Sequence, residues 1–171
     1  MGAFVSALTR PALVAVSAVF LYACAGSTTT PTTPSASAPC HEGQAEAGVY
    51  QPDRLQVLDP CAHAEGVVVA VIPEPDGDYH VWINVAARYL RLLNSENHFQ
   101  GRPALLAEIT PDCPLSTNPP NAAAAAQCPE SKLTIPMLDD HIAIDGPWVL
   151  DTNHGWNEIH PVDTLRILAD G

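Results

Sequence analysis

The sequence predicts a mainly β fold, a small antiparallel five-stranded barrel carrying one short helix. Three observations support this. The apolar residues fall in β-branched or alternating runs of strand length, turn residues separate those runs, and no long helical pattern alternates with them as a parallel sheet would require.

The first run, Gly66-Val-Val-Val-Ala-Val-Ile72, is bounded by Gly66 and Pro73. A turn sequence, Glu74-Pro75-Asp76-Gly77-Asp78, leads into Tyr79-His-Val-Trp-Ile-Asn-Val85, which together read as a hairpin. Because side chains alternate along a strand, Tyr79, Val81, Ile83 and Val85 share one face and His80, Trp82 and Asn84 the other. The mixed spacing of residues 86–93 predicts the short helix, ended by Asn94. Residues 104–110 read as a third strand. Residues 141–145 and 148–150 read as a fourth, interrupted at Gly146-Pro147, and residues 158–160 with 164–168 as the last. This set of elements favours an OB-like barrel over other small β architectures. The alanine run 122–126 reads as small-residue loop filler.

The chain divides into a leader over residues 1–24, a linker over 25–39 and the β domain over 40–171. Residues 11–23 are an apolar run behind a single basic residue, Arg10. A bilayer span needs about twenty apolar residues, so this run fits a signal peptide and not an anchor. Its end, Leu21-Tyr22-Ala23-Cys24-Ala25-Gly26, resembles a bacterial lipobox, in which a Leu three residues before Cys and a small residue just before it direct cleavage and diacylglyceryl attachment. Tyr22 departs from that pattern. Ala23-Cys24-Ala25 also fits ordinary signal-peptidase cleavage. The expectation is lipidation at Cys24 and attachment to the cell membrane, with plain secretion as the alternative. The linker is built from Gly, Ser, Thr, Pro and Ala without charge, so it can bury nothing and serves as a spacer.

Apart from Cys24, four of the five cysteines remain: Cys40, Cys61, Cys113 and Cys128. In an exported protein an even set reads as disulfides. The expected pairs are Cys40 with Cys61 and Cys113 with Cys128, since each closes a Pro-, Gly- or Ala-rich loop between stronger elements. Four thiolates around zinc would need close C-x-x-C pairs, and none occurs.

The formal charge is −12. Losing Arg10 with the leader leaves scattered basic residues, which disfavours nucleic acid, whose phosphates are bound through clustered Lys and Arg. Small cations, metal ions and basic partners are electrostatically favoured. No Gly-x-Ser-x-Gly, phosphate loop or dinucleotide fingerprint occurs, which disfavours an enzyme.

Two polar stretches stand out within the β domain, Asp76-Gly77-Asp78-Tyr79-His80 and Val149-Leu-Asp-Thr-Asn-His-Gly-Trp-Asn-Glu-Ile-His-Pro161. On these two segments the chain resembles a group of uncharacterised bacterial exported proteins, over about residues 49–162. The resemblance implies an OB-like architecture and no particular reaction. In the second stretch Asp151 and Asn153 suit a turn with Gly155, and Glu158 and His160, two apart on the returning strand, point to one side. The candidate ligand or metal surface is therefore His80, Asp151, His154, Trp156, Glu158 and His160. A divalent ion such as zinc fits those donors, with Asp151 as ligand or as acceptor for a ring N–H. The same residue types serve a structural reading, because buried polar groups must pair whatever the function. General acid–base catalysis is a third use. Exposed faces of Trp82 and Trp156 would suit a sugar ring, so saccharide, small ligand and protein partner all remain open. Asp139-Asp140 reads as a solvated turn, and His41, His63 and His98 as exposed and without partners.

Overall fold

The computed structural model describes Gly2, Cys40 and residues 46–169. Gly2 aside, the leader with Cys24 and the linker over 25–39 lie outside the described residues, as does His41.

The fold is mainly β and built around a ring. A long strand β1 (Leu55–Pro73) runs into β2 (Tyr79–Val85), followed by a 3-10 turn at Ala87–Leu92 and a minimal hairpin of β3 (His98–Phe99) and β4 (Arg102–Pro103). Next come β5 (Leu105–Ile109), a one-turn helix α1 (Ala122–Ala125), β6 (His141–Asp151), β7 (Asn157–Ile159) and β8 (Thr164–Ile167). Five strands close in the order β1-β2-β5-β7-β6 and back to β1, and β8 lies beside β6. Every contact in the ring is antiparallel except β5–β7, which is parallel.

Alternation decides which side chains fill the ring. Val81, Ile83 and Val85 of β2, Leu105, Ala107 and Ile109 of β5, and Ile159 of β7 share one buried cluster with Ile142 and Ile144 of β6. Each large aliphatic fully buried there contributes roughly 1.5–3 kcal/mol. Tyr89 and Leu92 of the 3-10 turn complete the cluster, so the short helix expected over 86–93 is present in its tighter form.

Several element boundaries differ from the sequence reading. β1 begins eleven residues before Gly66, at Leu55. β6 is continuous through Gly146-Pro147, because the irregularity falls where the β1–β6 register shifts between Asp59 and Ala62. Gly146 is needed there: a Cβ on it would stand 2.4 Å from the Pro161 carbonyl oxygen. The expected last strand is two strands, β7 against β5 and β6 and β8 against the first half of β6. Within the alanine run, residues 122–125 make one helical turn, which Asn121 caps by accepting from the Ala124 N–H at 3.0 Å.

Both disulfides pair as expected, with Cα separations of 5.6 Å for Cys40–Cys61 and 5.1 Å for Cys113–Cys128. The second closes a ring spanning 15 residues inside the long β5–β6 connection. Replacing Cys113 and Cys128 together by Ala is expected to lower the unfolding free energy by about 3 kcal/mol. Urea denaturation under non-reducing conditions measures this. A loss under about 0.5 kcal/mol, the size of an ordinary surface change, would show that the connection holds itself without the bridge.

Candidate functional site

The side of β2, β5 and β7 that turns away from the core cluster carries the polar residues. His80 of β2 lies opposite Glu108 of β5, and Leu106 of β5 lies opposite Glu158 of β7. Residues two apart share a face. His80, Glu108, Glu158 and His160 are therefore neighbours. The loop after the 3-10 turn secures β7: the Asn97 side chain donates to the Asn157 carbonyl at 2.7 Å and accepts from its N–H at 3.0 Å.

Glu108 is the hub. Its Oε1 stands 3.1 Å from His80 Nε2, and its Oε2 stands 2.8 Å from His160 Nδ1. His160 Nδ1 also meets Glu158 Oε1 at 2.9 Å, while Trp156 donates its indole N–H to Glu158 Oε2 at 2.8 Å. Arg54, from the 3-10 turn Pro52–Arg54, pairs with Asp151 at the end of β6 and comes within 3.8 Å of Glu108 and 3.9 Å of Glu158. Asp151 also organises the β6–β7 turn. Its Oδ1 accepts the Asn153 N–H at 2.7 Å and the His154 N–H at 3.2 Å, and its Oδ2 faces His154 Nδ1 at 2.7 Å. Gly155 takes the left-handed φ of +84° that this turn demands.

Glu108, Asp151, Glu158 and His160 are all buried, so the charges inside the network decide one another's protonation. Burial opposes charge on His160, but the Glu108 and Glu158 carboxylates outweigh it and push its pKa up to about 10. Burial would lift Glu108, yet His160 and then His80 hold it well below the ordinary carboxylate range. Glu158 is raised, by burial first and by the neighbouring Glu108 charge second. Asp151 is lowered: the His154 bond and the Arg54 charge overcome its burial. Asp78, in the β1–β2 turn, is pushed up to about 7 by burial, against the pull of His160.

A pocket of about 220 Å³ opens onto this network. The β1–β2 turn lines it with Glu74, Asp76 and Asp78, and the β6–β7 turn with Asn153 and His154. Tyr50, Gln51, Arg54, His80 and Glu108 complete the wall. One donor atom from each of Asp78, Glu108 and His160 lies within 4.8 Å of the others, a spacing from which a metal ion could be held. No protein-family model, no curated protein and no solved structure matches the chain. The site's chemistry is accordingly read from its geometry.

All six residues singled out in the sequence belong to one connected network, joined through Glu108 and Arg54. They do not converge on one ligand point. His80 and His160 meet at Glu108, whereas His154 is tied to Asp151 at the rim, with half of its side chain exposed and its ring stacked 4.4 Å over Trp156. Trp82 is buried, edge-on to Trp156 at 5.5 Å and stacked on Phe99, so it offers no face to a sugar ring. His154 covers one face of Trp156.

Sequence reasoning missed Arg54 and Glu108, and it flagged Asp78 only as part of the polar stretch 76–80. Glu108 carried a signal, being the lone charge within the apolar run Leu105-Leu-Ala-Glu-Ile109. His63 corrects its expectation, because its Nδ1 meets Asp145 at 2.8 Å and its Nε2 meets Glu65 at 3.1 Å. His98 is exposed as expected, and Asp140 closes a turn by accepting the Met137 N–H at 2.7 Å.

Proposed function

We propose that this chain is an exported binding module, tethered through a lipid on Cys24 and held off the membrane by the linker over 25–39, and that it takes a small cationic ligand in the pocket between the β1–β2 and β6–β7 turns. The observation that carries the reading is the pocket's charge. Four carboxylates, from Glu74, Asp76, Asp78 and Glu108, line it. Glu108 is engaged by His80 and His160, burial lifts the Asp78 pKa to about 7, and Arg54 serves Asp151, so the rim groups Glu74 and Asp76 carry the attraction. Two bridged cysteine pairs support an oxidising compartment.

The strand order supports an OB-like reading of the barrel, with β5, β6 and β7 as its third, fourth and fifth strands. OB folds take their ligands on the face of strands two and three, flanked by the loops that follow strands one and four. The pocket lies on the corresponding elements of this chain. The net charge of −12 argues against the oligonucleotides that many such barrels bind, and the burial of Trp82 argues against stacked sugars.

The test is an NMR titration of the full-length, oxidised protein with spermidine as cationic probe and xylitol as neutral control. Amide shifts are expected at Gly77, Asp78, His80 and Asn153 with spermidine alone. The double variant Glu74→Gln with Asp76→Asn should weaken binding about tenfold or more, and salt should do likewise. Shifts scattered over the whole surface, or an affinity indifferent to both carboxylates, would remove the assignment.

A further inference from the structure

The deepest part of the pocket points to a narrower ligand class. We infer that Asp78, Glu108 and His160 form a site for a first-row divalent metal ion, an assignment that rests on the pocket being the binding site. Three separated parts of the chain converge here: the β1–β2 turn supplies Asp78, the middle of the fold supplies Glu108 on β5, and the residue after β7 supplies His160. One donor atom from each lies within 4.8 Å of the others.

A second observation makes this more than an acidic cluster. His160 is completely buried, and its Nε2 has no hydrogen-bond partner among the described residues. Its other ring nitrogen faces Glu158 Oε1 at 2.9 Å. This is how a metal-ligating histidine is held, with one nitrogen fixed on a carboxylate and the other given to the ion in exchange for its proton. Glu108 Oε2, also buried, lies 2.8 Å from His160 Nδ1 and so helps Glu158 fix that side of the ring. A buried polar atom without a partner costs roughly 1–3 kcal/mol, and the orphaned His160 Nε2 marks a missing third party.

The donor set limits what that party is. One imidazole and two carboxylates suit zinc or manganese better than the all-oxygen shells of calcium and magnesium. Glu158 acts as a positioning residue through the His160 ring, and His80 backs Glu108 from the other side at 3.1 Å.

Calorimetric titration of the full-length, oxidised protein, purified without chelator, with Zn²⁺ and separately Mn²⁺ tests the assignment. One equivalent of at least one ion should bind in preference to Ca²⁺ and Mg²⁺, and the amides of Gly77 and Asp78 should shift. Asp78→Asn, which keeps the side chain's shape, should weaken binding by more than about 100-fold, the upper end of what losing an outer partner costs. His98→Gln should leave it within about threefold, since that exposed ring lies outside the pocket. Circular dichroism of each variant confirms the fold, and Glu108→Gln is the second ligand variant. The inference falls if neither ion binds, or if binding survives Asp78→Asn and Glu108→Gln unchanged. Spermidine shifts without metal binding would overturn the metal site alone; silence toward both probes would overturn the pocket as well.

Discussion

Glu108→Ala is expected to destabilise the protein by about 3–5 kcal/mol, the range for removing one partner of a buried ion pair. The reason is what the substitution leaves behind. Glu108 is 2% exposed and faces His80, His160 and Arg54, so its loss strands positive charge in a space with little water. His160 suffers most, because Glu108 and Glu158 together keep its imidazolium stable while burial works against it. For a domain of this size the midpoint of thermal unfolding should fall on the order of 10–20 °C. Glu74→Ala, on the partly exposed pocket rim, should cost under about 1 kcal/mol, since solvent screens its contact with His80. Urea and thermal unfolding of the two variants settle the comparison. A Glu108→Ala protein as stable as Glu74→Ala would mean that the network contributes nothing to the fold.

Raising the pH should destabilise the metal-free protein from about 5 to 10, where His160 and Asp78 contribute most and Glu158 and His80, both raised, act in the same direction. His160 has its pKa pushed up from 6.5 to about 10. Its contribution is fully present below about pH 6.5 and disappears as pH rises through about 10. Asp78 has its pKa pushed up from 3.8 to about 7, because burial disfavours the carboxylate. The folded state therefore holds a proton that the unfolded state has released, and its contribution declines between about pH 4 and 7. Folded protein binding the extra proton means a negative slope of stability against pH in both windows. The lowered pKa values of Glu108 and Asp151 act oppositely, losing their contributions as pH falls into the acid range. The maximum should thus sit on the acid side of neutral, with a decline of a few kcal/mol toward pH 10. Urea midpoints measured in chelator at unit pH steps test this. Asp78→Asn should flatten the neutral limb and leave the alkaline limb intact; a flat profile from pH 5 to 10 in the parent protein would refute both assignments.

The legibility of this chain follows the physics of each element. The β1–β2 hairpin announced itself because Val67 to Ile72 are β-branched or small and Asp76-Gly77 forces a turn. The first half of β1 did not, because Leu55-Gln-Val-Leu-Asp-Pro-Cys61 breaks its alternation where the pairing with β6 bulges. The disulfides were legible from loop composition. At the site, the residues close together in sequence were visible as a cluster: Asp151, His154, Trp156, Glu158 and His160. Arg54 was hidden because only barrel closure brings it to Asp151. Glu108 was hidden because a strand of buried residues reads as core, and the register that sets it against His80 is a tertiary fact. Trp82 falls between the two cases, its face predicted correctly and its burial decided by Phe99, Leu106 and Trp156 packing over it.

The length of β1 bears on when the chain can fold. Its second half pairs with β2, its immediate successor, but from Leu55 to Val67 it also pairs with β6, so that Leu55 lies beside Asp151. Contacts between such remote segments form late and slow the folding rate. The hairpin can assemble early; the ring cannot close until the polypeptide has emerged nearly to its end. If the chain is exported as proposed, this wiring keeps it threadable during passage, and oxidation of its thiols and closure of its last strands proceed together on the far side.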